Sequence, residues 1–308
     1  MIRRLSLALA ATSLLTLAAC GGDDSSKPGA DAGADTSAAP GVNTDDSMSG
    51  DWEMISLDCA AGKTLTPDTV TIGTGSPAFS PWVENDAPET GEGFEAAVGY
   101  AIARTMGYAD SQVVWVRTTF DEAIAPGDKN FDFNMQQYSI TPEREETISF
   151  SDSYYASNQA IVALAGSPAE GATSVADLKD VKFGAQAGTT SLTFINDVIK
   201  PSNEAFVYDD NAGAKAALEA GQIDAIVVDL PTALYISAVE IEGTSVIGQF
   251  PGSAGEASDN YGAVFTKDNP LVDCVDQALA LLKTNGRLDK IQQAWLSDNA
   301  GVPVISVD

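Results

Sequence analysis

Two stretches of this chain read in one order: a short β-branched run, a helix with one apolar face, then another short apolar run. In the first, Val70-Thr71-Ile72-Gly73-Thr74 ends in small residues. A helix opens at Gly93-Phe94-Glu95, and its Phe94, Ala97, Val98, Ala101 and Ile102 fall at i, i+3, i+4, i+7 and i+8. Residues 112–116 are the next strand. In the second, Ser174-Val175-Ala176-Asp177 is a capping box before a strand at 181–184, and Gly188-Thr189-Thr190-Ser191 starts a helix with Leu192, Ile195 and Ile199 inward. An Ala-rich helix follows at 211–220, with Asn211 as N-cap and Gly221 as its stop. Residues 222–229, ending Ala225-Ile226-Val227-Val228-Asp229, read as a fully buried parallel strand. Strand, helix, strand in this order requires a crossover, and a crossover makes the strands parallel. The fold class is therefore α/β, with mainly parallel sheets flanked by helices.

The chain also carries an address. Arg3 and Arg4 precede an apolar stretch at 5–17 and then Ala18-Ala19-Cys20, the order of a secretory signal, and the apolar part is too short to span a bilayer. Leu17-Ala18-Ala19-Cys20 looks like a lipobox, so 1–19 is expected to be removed and Cys20 to become a lipidated first residue. Residues 20–50 are Gly, Ala, Ser, Asp and Pro with almost no large apolar side chain, a composition that reads as a disordered tether. About 250 residues remain, large for one core and comfortable for two lobes.

With 16 Lys and Arg against 44 Asp and Glu, the net charge is −28. That excludes nucleic acid as a partner, because phosphate binding needs a basic surface; the acidity itself suits the solubility of an exported protein. There is no histidine, which removes His-based catalysis and most zinc sites, and no cofactor or metal is expected. Removing Cys20 leaves Cys59 and Cys274, an even count in an oxidising compartment.

The segment Ser139-Ile140-Thr141-Pro142-Glu143-Arg144, followed by Ser149-Phe150-Ser151-Asp152-Ser153-Tyr154-Tyr155, resembles the pattern of extracellular amino-acid-binding proteins of ABC importers, solute-binding protein family 3. The resemblance extends over roughly residues 66–298. It implies the two-lobed type II periplasmic-binding-protein fold, with a hinge of two crossings. The lobes would take 51–156 and the return 262–308 for the first, and 157–261 for the second. Cys59 and Cys274 would share the first lobe, so the resemblance makes a disulfide plausible.

In that fold a free amino acid would lie between the lobes. Arg144 offers a planar fork for its carboxylate, and Thr189, Thr190 and Ser191 add hydroxyls and helix-start amides. Asp229, at a strand end, is the counter-charge for its ammonium; by resemblance Gln137 would give a backbone carbonyl and Ser139 a hydroxyl and an amide. Phe79 and Phe120 match the positions that sandwich the ligand side chain, which Gln136 and Gln186 would then face as neutral groups. Relatives that bind basic amino acids often carry an acidic residue where this chain has Gly75-Ser76, which favours a polar or neutral ligand. Each residue also has a plainer reading: a surface ion pair for Arg144, a helix cap for Thr-Thr-Ser or Asp229, core packing for a Phe.

The resemblance implies no enzymatic activity, and makes an ABC permease and the lipid-anchored membrane surface the partners of a monomer at the outer face of the cell membrane or in the periplasm. The alternatives are a dehydratase-like enzyme on the same fold, for which Glu84, Glu92 and Asp152 lie in no recognisable catalytic pattern, and a ligand-sensing module.

Overall fold

The structure, a computed structural model, describes residues 48–250, 259–296 and 301–307. The expected signal peptide, Cys20 and nearly all of the tether lie outside the described residues.

The chain enters β1 (Val70–Gly75), whose six residues are all buried, and crosses over through α1 (Phe94–Thr105) to β2 (Val113–Thr118), which pairs with it in parallel. α1 is buried nearly all round because it lies between the sheet and later helices. Then come α2 (Phe120–Ile124), capped by Thr119, β3 (Phe133–Asn134), α3 (Pro142–Glu145) and β4 (Ile148–Phe150). After β5 (Tyr155–Ser157) the chain forms β6 (Gln159–Leu164), β7 (Phe183–Gln186), α4 (Thr190–Phe194), β8 (Phe206–Tyr208), α5 (Asn211–Glu219), β9 (Ala225–Asp229), α6 (Leu230–Tyr235) and β10 (Thr244–Phe250). Both α4 and α6 run on into a π turn, Ile195–Ile199 and Ile236–Glu240. β11 (Asp259–Tyr261), β12 (Val264–Thr266), α7 (Val272–Thr284) and α8 (Arg287–Trp295) complete the path.

Two five-stranded sheets result, ordered β2-β1-β3-β12-β4 and β10-β6-β9-β7-β8. Each is mixed with one reversed strand: β1, β2 and β3 pair in parallel, as do β7, β8 and β9, while β12 pairs antiparallel with β3 and β4, and β6 with β9 and β10. The two reversed strands, β6 and β12, are those the chain enters directly from a crossing, with no crossover helix to set them parallel. Between the sheets, β5 and β11 pair antiparallel as a two-stranded ribbon. The two crossings thus support each other through backbone hydrogen bonds.

Cys59, ahead of β1, is bonded to Cys274 in the first turn of α7, with Cα atoms 5.7 Å apart. Three other details depart from the sequence expectation. Asp210, not Asn211, caps α5, its carboxylate accepting the Gly213 amide at 2.8 Å. The strand expected from 222 begins at Ala225. The return was expected to keep 262–308 with the first sheet, yet Ser306 and Val304 pair beside Ser174 and Gln249, and Ile305 is buried in the core of the second. The apolar Val302 and Ile305 find cover there, and the Gln249 amide and carbonyl bond Pro303 O and Ile305 N at 2.8 and 3.0 Å.

Candidate functional site

In an open α/β sheet, the carboxyl ends of parallel strands leave a crevice because the chain turns away there into helices. Here two such ends face each other. Phe79 follows β1, Phe120 follows β2, and Gln136, Gln137 and Ser139 follow β3; Gln186 ends β7, Asn211 follows β8, and Asp229 ends β9. One cavity is lined by all of these together with Arg144, Thr189, Thr190 and Ser191, so the eleven candidate ligand-binding residues come to a single place. Trp82, Asn211, Val228 and Thr232 also line it.

The walls are in contact. The Arg144 guanidinium donates to Ser139 O at 2.8 Å on its own side and to Gly188 O at 2.9 Å on the other. Ser139 Oγ lies 3.3 Å from Thr190 Oγ1, and Trp82 Nε1 donates to Thr232 Oγ1 at 2.8 Å. Trp82 is fully buried with its ring edge-on to Tyr155 and Tyr261 of the ribbon, which ties the cavity floor to the crossings. Loop 138–140 is tied to the same ribbon, with Ile140 N bonding Asn260 O at 2.8 Å and Gly262 N bonding Tyr138 O at 3.1 Å.

Not every expected donor is free. Thr189 caps α4 through Leu192 N and gives its hydroxyl proton to Gln186 O at 2.7 Å, while Ser191 Oγ donates to Gln159 Oε1 at 2.7 Å. Of the three hydroxyls only that of Thr190 meets the opposite wall.

Acidic groups collect opposite Arg144. Gln159 Nε2 bridges Asp229 at 3.2 Å and Asp259 at 2.6 Å. Burial, with Asp259 beside it, lifts the Asp229 carboxyl from 3.8 to about 7, against the hydrogen bonds of Tyr261 and Gln159. Behind the cavity, Glu95 in the first turn of α1 is 1% exposed, and burial lifts its carboxyl from 4.5 to about 7. Nothing in the sequence beyond its place in a first helical turn marked Glu95, and nothing there singled out Trp82.

The two phenylalanines line the cavity, and each carries a protein cation: Arg144 Cζ is 5.2 Å from the Phe120 ring centre, and Lys215 Nζ is 4.7 Å from that of Phe79. Lys215 stands one turn beyond Asn211 on α5 and pairs with Glu240 at 2.8 Å. Gln136 fills the space next to Gly75: a Cβ there would come within 2.8 Å of Gln136 Nε2 and of Pro77 O.

Residues 70–298 match the profile of the bacterial extracellular solute-binding proteins, family 3. Over 262 residues the chain is 28% identical to the lysine/arginine/ornithine-binding periplasmic protein of Escherichia coli, covering 80% of this chain and 95% of that one. The fold is shared with an ancestral arginine-binding protein solved with arginine, at 29% identity and a TM-score of 0.62 over 75% of this chain and 99% of that one. An ancestral arginine-binding protein bound to glutamine gives 28% and 0.63, over 76% and 100%. An ancestral amino-acid-binding protein described as a precursor of cyclohexadienyl dehydratase is also similar, at 28% identity and a TM-score of 0.61 over 75% and 96%.

Proposed function

Because this chain belongs to the bacterial extracellular solute-binding proteins, family 3, we propose that it captures a free amino acid between its lobes and hands it to an ABC importer. The observation that carries the reading is that one cavity is lined by the Arg144 guanidinium from the first lobe and by the Asp229 carboxylate from the second, with Asp259 joined to Asp229 through Gln159. A free amino acid carries those two charges in reverse, so each end finds a partner that is already desolvated and aimed. Lipidation at Cys20 and the 20–50 tether would hold a monomer at the outer face of the membrane or in the periplasm, within reach of the permease. The function is binding without turnover, in keeping with relatives named as binding proteins; the dehydratase-like alternative would show itself by conversion of the ligand.

Relatives named for arginine, lysine, ornithine and histidine make the basic amino acids the first candidates. A carboxamide ligand is a second reading, favoured by the side-chain end of this cavity. Gln136, Gln186, Asn211 and Thr232 line it, Asp229 is the only acidic lining residue among the described residues, and Lys215 lies over Phe79. The glutamine complex of an ancestral relative agrees with this. Calorimetric titration with arginine, lysine, histidine, glutamine and asparagine separates the two readings. Absence of binding to every common amino acid would refute both, and conversion of the bound amino acid over hours would favour the enzyme.

A further inference from the structure

Glu95 is buried without a cation, a costly arrangement that packing alone does not require. Its carboxylate accepts three hydrogen bonds: the Gln137 amide at 2.8 Å, the Gln137 side chain, and the Tyr154 hydroxyl. Gln137 has φ +50°, in the left-handed region that a residue with a side chain adopts only when its surroundings hold it there. The segment so held follows β3 and carries Gln136, Gln137 and Ser139 into the cavity.

We propose that Glu95 is the positioning residue of the cleft, its buried carboxylate locking Gln137 in a left-handed bend and thereby fixing the loop that presents Gln136, Gln137 and Ser139 to the amino acid. This rests on the amino-acid reading of the cavity. The position suits a carboxylate, since the first turn of a twelve-residue helix offers the positive end of its dipole. The groups facing Glu95 are Gln137 from the loop, Tyr154 from the approach to β5, and Tyr138; its charge in turn raises the carboxyl of Asp229 on β9.

The sign of the pH effect follows. The folded carboxyl titrates at about 7 against an ordinary 4.5, so the native state gains stability as pH falls through 7 and carries the full penalty above it. A glutamine at this position has the same shape and no charge. Its carbonyl accepts from the Gln137 amide and Tyr154, and the Gln137 side-chain amide turns over to meet the new donor.

The test is Glu95→Gln, with L-arginine and L-glutamine as probes. At pH 8 the ligand-free variant should melt higher than wild type, by on the order of 5 °C, with the gap closing towards pH 5. Its affinity for whichever probe the wild type binds should fall on the order of tenfold, because charge-assisted hydrogen bonds to the loop become neutral ones, and the Gln137 amide should exchange faster with solvent. A variant that melts lower than wild type across this pH range would show a plain structural role and overturn the proposal. So would wild-type affinity together with unchanged protection of the Gln137 amide. A wild type that binds neither probe would count against the amino-acid reading, while amide exchange still decides on Glu95.

Discussion

Arg144 and Asp229 set the residue scale, because each is a charge taken out of bulk water and aimed at a gap. Arg144 already spans the two walls through Ser139 O and Gly188 O. Arg144→Ala should therefore lose both the ligand carboxylate and part of the closed form. Truncating one partner of a desolvated pair costs about 2–5 kcal/mol, roughly 30-fold to several-thousand-fold in affinity by calorimetry; Arg144→Lys should recover little of it, since a single ammonium cannot reproduce the fork. Asp229 behaves oppositely in the free protein. Its folded carboxyl titrates at about 7 against 3.8, so it takes up a proton as pH falls through 7 and destabilises the native state above that. Asp229→Asn should raise the ligand-free melting temperature at pH 8 while nearly abolishing binding, and wild-type binding should weaken below pH 7 as the ammonium must displace a proton. Calorimetry in buffers of different ionisation enthalpy reads that proton directly; no proton release at pH 6.5 would contradict it. Both residues were legible because they sit in ordered contexts, a Thr-Pro-Glu-Arg turn and the end of an apolar strand. Glu95 was not, since a first-turn acid looks alike whether its side chain faces water or folds inward beneath a loop 42 positions away.

At the scale of elements, the apolar patterns of α1 and β9 read correctly, although α1 is buried on its other faces as well. Antiparallel additions were not legible, because β6 and β12 carry the same apolar runs as parallel strands and only tertiary pairing sets their direction. The cap of α5 slid by one residue since Asp210 and Asn211 are equally good caps and the sequence does not rank them. That helix has a functional side: Asn211 lines the cavity and Lys215, four residues on, lies over Phe79 while bonded to Glu240. A cation already held on the Phe79 ring leaves that ring a poorer partner for a second one. Lys215→Met should therefore strengthen arginine relative to glutamine by roughly 2- to 30-fold, the range of one cation–π contact. Competitive titration of the two amino acids checks it, and an unchanged ratio would remove Lys215 from the selectivity of the site.

Across the whole molecule the chain passes between the lobes more often than a two-crossing hinge requires. β5 and β11 form the paired ribbon, and after α8, which packs on α1 and α7 beside the first sheet, residues 302–306 reappear on the second. Val302-Pro303-Val304-Ile305 carries no sign of this pairing, because four residues are too few to show a period. Its fit is nevertheless specific. Ile305 is 2% exposed, and it sits where a Cβ on Gly248 would come within 2.6 Å of its Cγ1, so the bulge in β10 and the absence of a side chain at 248 make its seat. Gln249 ties the arrangement to the ribbon, its side chain accepting from Asn158 Nδ2 at 2.8 Å and donating to Val302 O at 3.2 Å. The tail is thus both a patch on the second core and a strap across the hinge. Stopping the chain after Leu296 should remove about 2–4 kcal/mol of burial from the second lobe and lower the melting temperature by roughly 5–10 °C. It should also enlarge the ligand-free radius of gyration in small-angle scattering, since two connections constrain rotation less than three, while a saturating ligand restores the compact value. Ile305→Asp separates the two roles: it keeps the strap and empties the seat, so it should reproduce the loss of stability with less of the opening. Equal radii for the full-length and shortened chains without ligand would show that the ribbon alone sets the angle between the lobes.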